Sequence, residues 1–120
     1  MIPLKHFNPS TDKAINWDVV DWDAIKILDD ARDRTSIPFF ITSHYRTPEH
    51  SVEVGGITTD AHTETPCSAF DIEASNSADR FKIVKACLAV GFPRIGINIK
   101  NNHIHVDNSK KLPPFVLWIE

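Results

Sequence analysis

The segments RIGINI (94–99) and HIHVD (103–107), separated by the polar triplet KNN, constrain this chain more than any other feature. Side chains along a strand alternate between faces, so Ile95, Ile97 and Ile99 share one face of the first segment. In the second, Ile104 and Val106 share one face, and His103, His105 and Asp107 share the other. A three-residue break between two such runs predicts a β-hairpin with one apolar and one polar side. That polar side could hold a metal ion, carry out proton transfer, or be an ordinary solvated face.

The rest of the chain supplies elements to cover the apolar side. From Asp23 to about Arg34, Ile25, Leu28 and Ala31, with Ala24 and Ile27 beside them, follow the i, i+3, i+4 spacing of a helix with one buried stripe, and Asp21 or Asp23 can cap its start. IPFFITS (37–43), rich in aromatic and β-branched residues, reads as a strand that ends in the loop-like SHYRTPEH. Residues 44–66 read as mostly irregular, with Gly55 and Gly56 marking a turn. CSAFDIEA (67–74) alternates as a half-buried strand, with Phe70 and Ile72 on one face and Ala69, Asp71 and Glu73 on the other. A helix capped by Ser77 runs to about Val90, with Phe81, Val84 and Leu88 as its core stripe and Gly91 as its stop. The tail KLPPFVLWIE is a proline-broken extended segment that closes the sheet edge. The expected fold is α+β: one small antiparallel sheet, helices packed on one face and a polar site on the other, in a single domain spanning 1–120.

Composition narrows the function. The chain has 120 residues, enough for one core, with 42% hydrophobic and 24% charged residues. No apolar run approaches the roughly 18 to 20 residues needed to span a bilayer, so no membrane insertion is expected. A net charge of -3 without a basic stripe disfavours nucleic acid as the partner. The start, MIPLKHFNPS, lacks the charged region and apolar stretch of a signal peptide. Cys67 and Cys87 define no disulfide, and a reduced cytosolic state is the default. The sequence sets no oligomeric state.

In an antiparallel sheet the polar face would carry Asp71, Glu73, His103, His105 and Asp107. Imidazole and carboxylate are ordinary zinc ligands, and a catalytic zinc commonly keeps three protein ligands and one open position. A strand H-x-H pair by itself is equally compatible with solvated or hydrogen-bonded histidines.

In order along the chain, FITSHYRTPEHSVEVGG, DAH, SAFDI and RIGI…HIHVD…LPPFVLW resemble the M15 family of zinc D,D-carboxypeptidases and L,D-endopeptidases, whose fold is shared by Hedgehog signalling domains. The resemblance implies one Zn2+ held by His62, Asp71 and His105. It also implies that Arg46, in YRTPEH, lies near the substrate's carbonyl or carboxylate, with Ser43 and Tyr45 beside it in substrate binding. A guanidinium suits that place because it offers a fixed fork of donors and is always charged. The implied substrate is the stem peptide of peptidoglycan, and the implied enzyme is a phage or prophage endolysin-like cell-wall hydrolase. Such an enzyme would reside in the host cytoplasm before release to the wall, or be virion-associated.

Two departures from the family pattern stand out. The spacing HTETPCSAFD is H-x8-D where the family has H-x6-D, with Cys67 about where a glycine is usual; a loop containing Pro66 can absorb the difference. Cys67 is a candidate soft ligand or a small apolar filler. Asn102 stands where many members have the carboxylate that activates water, and an amide cannot take that proton. The expected base is therefore His103, with Glu64, Glu73 and Asp107 as substitutes; Asp107 could instead orient a ligand imidazole. The alternative function is an inactive zinc-binding or virion structural module of the same fold.

Overall fold

The first helix begins where the sequence offers a cap. In the computed structural model, which describes residues 3–54 and 60–120, the Asp21 side chain accepts from the Ala24 amide and starts helix α1, Trp22–Asp33. Its stripe of Ala24, Ile25, Leu28 and Ala31 is fully buried. The N-terminal segment lies across this helix, with the amides of Lys5 and His6 donating to the Asp29 carboxylate. Strand β1, Ile41–Ser43, is shorter than IPFFITS suggests: Phe39 is buried in the core, Phe40 is exposed, and a register shift lies between Ile41 and Ser43.

Residues 44–66 are less irregular than expected. Thr47 accepts from the His50 amide and Pro48 occupies the first turn, which starts a short helix α2, Pro48–Glu53. Asp60 caps a 3-10 turn over Ala61–Thr63 in the same way. The expected Gly55–Gly56 turn lies outside the described residues. Strand β2 then covers Phe70–Glu73 and helix α3 covers Ser77–Ala89, capped by Asn76 rather than Ser77.

The hairpin forms as read, with β3 at Arg94–Asn98 and β4 at His103–Asp107. β4 also pairs with β2 in antiparallel register, Asp71 opposite His105 and Ile72 opposite Ile104. The last strand, β5 at Val116–Ile119, pairs with β3 in parallel, so the five-stranded sheet β1-β2-β4-β3-β5 is mixed, not antiparallel. The reason is connectivity. β4 is flanked on both sides, and the chain leaves it beside Arg94, at the start of β3. A tail that turns onto the free edge of β3 from that end must run in the direction of β3.

Phe70, Ile72, Ile95, Ile104 and Val106 project from one side of the sheet into a core shared with α1 and α3. The contribution of α3 differs from the expected stripe. Ile83, Ala86 and Cys87 are buried and Val84 packs at the margin, whereas Phe81 and Leu88 are 68% and 56% exposed. The helix carries two apolar stripes of similar spacing, and the one with small residues lets it approach α1 and the sheet closely. Ile99 falls beyond the end of β3 and is exposed. Among the described residues no helix is long and apolar enough to cross a membrane.

Candidate metal centre

The register of the sheet builds the site. Asp71, His105, Gly96 and Trp118 form one row across β2, β4, β3 and β5, on the side opposite the core. His62 reaches the row from the 3-10 turn, which is fixed by the His62 amide donating to Asp60 Oδ1 at 2.8 Å. One oxygen and two nitrogens then converge. His62 Nε2 lies 3.1 Å from Asp71 Oδ1, His105 Nδ1 lies 3.2 Å from Asp71 Oδ1, and the two ring nitrogens are 3.2 Å apart. All three residues are buried.

Each imidazole is fixed from behind. His62 Nδ1 donates to the His44 carbonyl, which leaves Nε2 as the lone-pair nitrogen. His105 Nε2 donates to Asp107 Oδ2 at 2.6 Å, which leaves Nδ1 facing inward. Asp107 is itself fully buried and held by Arg94 Nε, 3.0 Å from Oδ1, and by the Ser109 amide. This carboxylate–imidazole arrangement orients a metal ligand and raises its basicity. Two inward lone pairs beside a carboxylate call for a positive charge between them, and in the metal-free protein only a proton can supply it. Burial alone would depress the His105 pKa, but its hydrogen bonds to the Asp107 and Asp71 carboxylates outweigh this and raise it to about 9. Burial likewise pushes Asp71 upward, and the two histidines overcome this, holding it well below the usual carboxylate range. His62, Asp71 and His105 could thus hold a metal ion through two nitrogens and one oxygen, a donor set that suits zinc.

The three ligand atoms form the floor of a cavity of about 580 Å³. Its walls include Arg46, Asp60, Asn98, His103, Trp118 and Glu120. Arg46 is held by its amide donating to the His62 carbonyl, and its guanidinium lies 3.4 Å from Ser43 Oγ and 3.7 Å from Asp60 Oδ2. Its Nε is buried with no hydrogen-bond partner among the described residues. His103 stands opposite, with Nε2 3.7 Å from Asp71 Oδ1.

The chain belongs to the peptidase M15 family. A family model described as Peptidase M15 matches residues 7–107. No curated protein and no solved structure matches the chain. The match spans α1 through β4, and so includes His62, Asp71 and His105, the candidate metal ligands of this M15 peptidase.

The residues singled out by sequence are distributed unevenly. His62, Asp71, His105, His103 and Arg46 meet at one cavity. Ser43 reaches it through its bond to Arg46. Tyr45 turns away and packs against Ala61, Cys67 and Ala69, so it is not on the cavity wall. Glu64 accepts from Ser109 Oγ, and Glu73 is exposed at the margin of the sheet, opposite His103 in register. Asp107 lies beneath His105, out of reach of the cavity. Cys67 is buried, with its thiol pushed up to about 12 by desolvation, which suits a filler rather than a thiolate ligand.

Sequence reasoning missed Asp60, which anchors both the His62 turn and Arg46, although the DAH motif contains it. It also missed Trp118 and Glu120. Their signal is the alternation Val116, Trp118, Glu120, which becomes informative once the tail is placed as a strand beside β3.

Proposed function

We propose that this M15 peptidase is zinc-dependent and cleaves an amide bond in the stem peptide of peptidoglycan, on a fold of the Hedgehog/DD-peptidase type, as phage or prophage cell-wall hydrolases do. The observation that carries the reading is the convergence of His62 Nε2, Asp71 Oδ1 and His105 Nδ1 at the floor of a cavity with an arginine on its wall. Zinc bound there would supply a Lewis acid for the scissile carbonyl and would lower the pKa of water toward about 7.

The chain's own residues do the rest. Arg46 presents a fixed cation to a peptide carboxylate or to the oxyanion that develops during attack. His103 holds an imidazole over the floor, where its ring N–H can donate a hydrogen bond to the substrate. Asp60 keeps Arg46 and the His62 turn in one geometry. A stem peptide, with its free carboxylates, matches such a wall.

The test is metal analysis of the purified protein followed by mass spectrometry of peptidoglycan incubated with it. The expected result is one zinc per chain and new peptide termini at a single type of amide bond. Intact peptidoglycan with no new termini would overturn the enzymatic reading. A second reading is favoured by Asn102, which sits in the β3–β4 turn at φ 55° and cannot accept a proton: a zinc-binding module without turnover. Stoichiometric zinc with no cleavage would establish it.

A further inference from the structure

The cavity of a peptidase needs a group that takes a proton from water, and the position where a carboxylate was expected holds Asn102. Among the described residues, the acidic side chains on the wall and floor are Asp60, Asp71 and Glu120. Asp71 belongs to the metal centre. Asp60 accepts from Ser51 Oγ at 2.6 Å and from the His62 amide, and it faces Arg46. Its oxygens are therefore occupied by donors and a cation. Glu120 differs: among the described residues no lysine or arginine lies within ion-pair distance of it, and its side chain lines the cavity and is 31% exposed.

The fold presents this carboxylate deliberately. The Glu120 amide donates to the Ile97 carbonyl at 2.8 Å, which carries the parallel pairing of β5 one residue past the strand. Alternation then puts Trp118 and Glu120 on the site face and Leu117 and Ile119 on the other. Trp118 Nε1 lies 3.2 Å from Oε1 and Asn98 Nδ2 lies 3.1 Å from Oε2, so two neutral donors fix the carboxylate plane without neutralising it. Gly96 makes the approach possible. A Cβ there would stand 2.6 Å from the Trp118 ring and 2.8 Å from Glu120 Oε1.

Glu120 Oε2 is 3.8 Å from His103 Nε2, and that nitrogen is 3.7 Å from Asp71 Oδ1. The gaps are too long for direct hydrogen bonds and are of the size that one water or one substrate oxygen bridges. From these observations we propose that Glu120, delivered by the C-terminal strand, is the proton acceptor in the hydrolysis, a role that rests on the peptidase reading above. As the water oxygen bonds to the carbonyl carbon, its proton passes to Glu120 Oε2. When the C–N bond breaks, the same proton goes to the leaving nitrogen, and the carboxylate is restored. His103 then serves as the neighbouring hydrogen-bond donor to the substrate, a place the sequence assigned to the base itself.

Glu120→Gln in the full chain tests this, because it keeps size and the Trp118 contact while removing the basic oxygen. The expected result is a fall in kcat of roughly 10²- to 10⁴-fold with KM within a few-fold of the parent. Zinc stoichiometry and calorimetric affinity for an uncleaved stem peptide should stay unchanged. In Glu120→Ala, added formate should restore part of the rate, which a purely structural role would not allow. An active parent with a Glu120→Gln variant of near-parental kcat overturns the assignment to Glu120 alone. So does loss of zinc or of peptide binding in that variant. A parent that cleaves nothing removes the peptidase reading and this one together.

Discussion

The floor and the far wall of the cavity are built in opposite ways. On the floor, every candidate ligand is buried and backed by a second group: Asp107 and Arg94 behind His105, the His44 carbonyl and Asp60 behind His62, and the β2–β4 ladder under Asp71. On the far wall, His103 opens β4 while Trp118 and Glu120 come from the sheet edge at β5, all three are partly exposed, and His103 stands 3.7 Å from Asp71 and 3.8 Å from Glu120. The floor has one geometry whatever fills the cavity, while the wall has room to adjust to a substrate. Metal binding and turnover should therefore be separable by mutation.

The largest effect that would break this comparison comes from the floor. Asp71→Ala or His105→Ala should take zinc from one equivalent per chain to none and abolish cleavage, with far-UV circular dichroism unchanged. Retained stoichiometric zinc in both variants would remove the contrast. On the wall, His103→Ala should keep its zinc and lose roughly 10²- to 10³-fold in kcat, the size of a lost hydrogen-bond donor to the reacting substrate. Zinc loss in that variant would make His103 part of the floor.

A third consequence sharpens the role of the buried histidines. His44 accepts from the Asn16 amide, donates to the Cys67 carbonyl and stacks on Phe70, and burial pushes its pKa down to about 4. The unfolded chain therefore takes up this proton first as pH falls. The stabilisation is full above about 6.5 and is lost toward pH 4, on the order of 3 kcal/mol for the whole step. In the metal-free protein His105 acts in the opposite sense. Its raised pKa stabilises the fold below about pH 6.5, and that contribution is lost as pH rises through about 9. Thermal melts of metal-free protein should thus peak near neutral pH. Added zinc, which must displace the proton held by His105, should flatten the alkaline limb and steepen the acidic one. An acidic limb that persists undiminished in His44→Gln would show that another group carries it.

The smallest effect lies behind the floor. Asp107→Asn keeps the shape but weakens the hold on His105 Nε2, and zinc affinity should fall about 10- to 100-fold, measured by competition with a chelator. Unchanged affinity would mean that the β2–β4 ladder alone positions the imidazole.

The same division explains what could be read from sequence. His62, Asp71 and His105 were legible because motif order and strand alternation both point to them, and the Asp21 cap and the Ile25, Leu28, Ala31 stripe of α1 follow from local rules. The direction of β5 was not legible, since it depends on which sheet edge is free when the tail arrives. With it went Trp118 and Glu120, which reach the cavity only through parallel pairing with β3. The α3 stripe was misread because Phe81, Val84 and Leu88 repeat with the same period as Ile83, Ala86 and Cys87, and close packing, not periodicity, chooses between them. Glu64 and Tyr45 have the right chemistry but are held by Ser109 and by Ala61, Cys67 and Ala69 off the cavity wall, and Glu73, though on the site face opposite His103, stands at the exposed margin of the sheet.

The central claim, that the floor is a zinc site made by three residues, is tested most directly by anomalous diffraction at the zinc edge from crystals of the zinc-loaded protein. The account predicts a single peak bonded to His62 Nε2, Asp71 Oδ1 and His105 Nδ1, with His103 and Glu120 outside bonding distance. A peak that includes His103 as a ligand, or one that lies away from this trio, would contradict it.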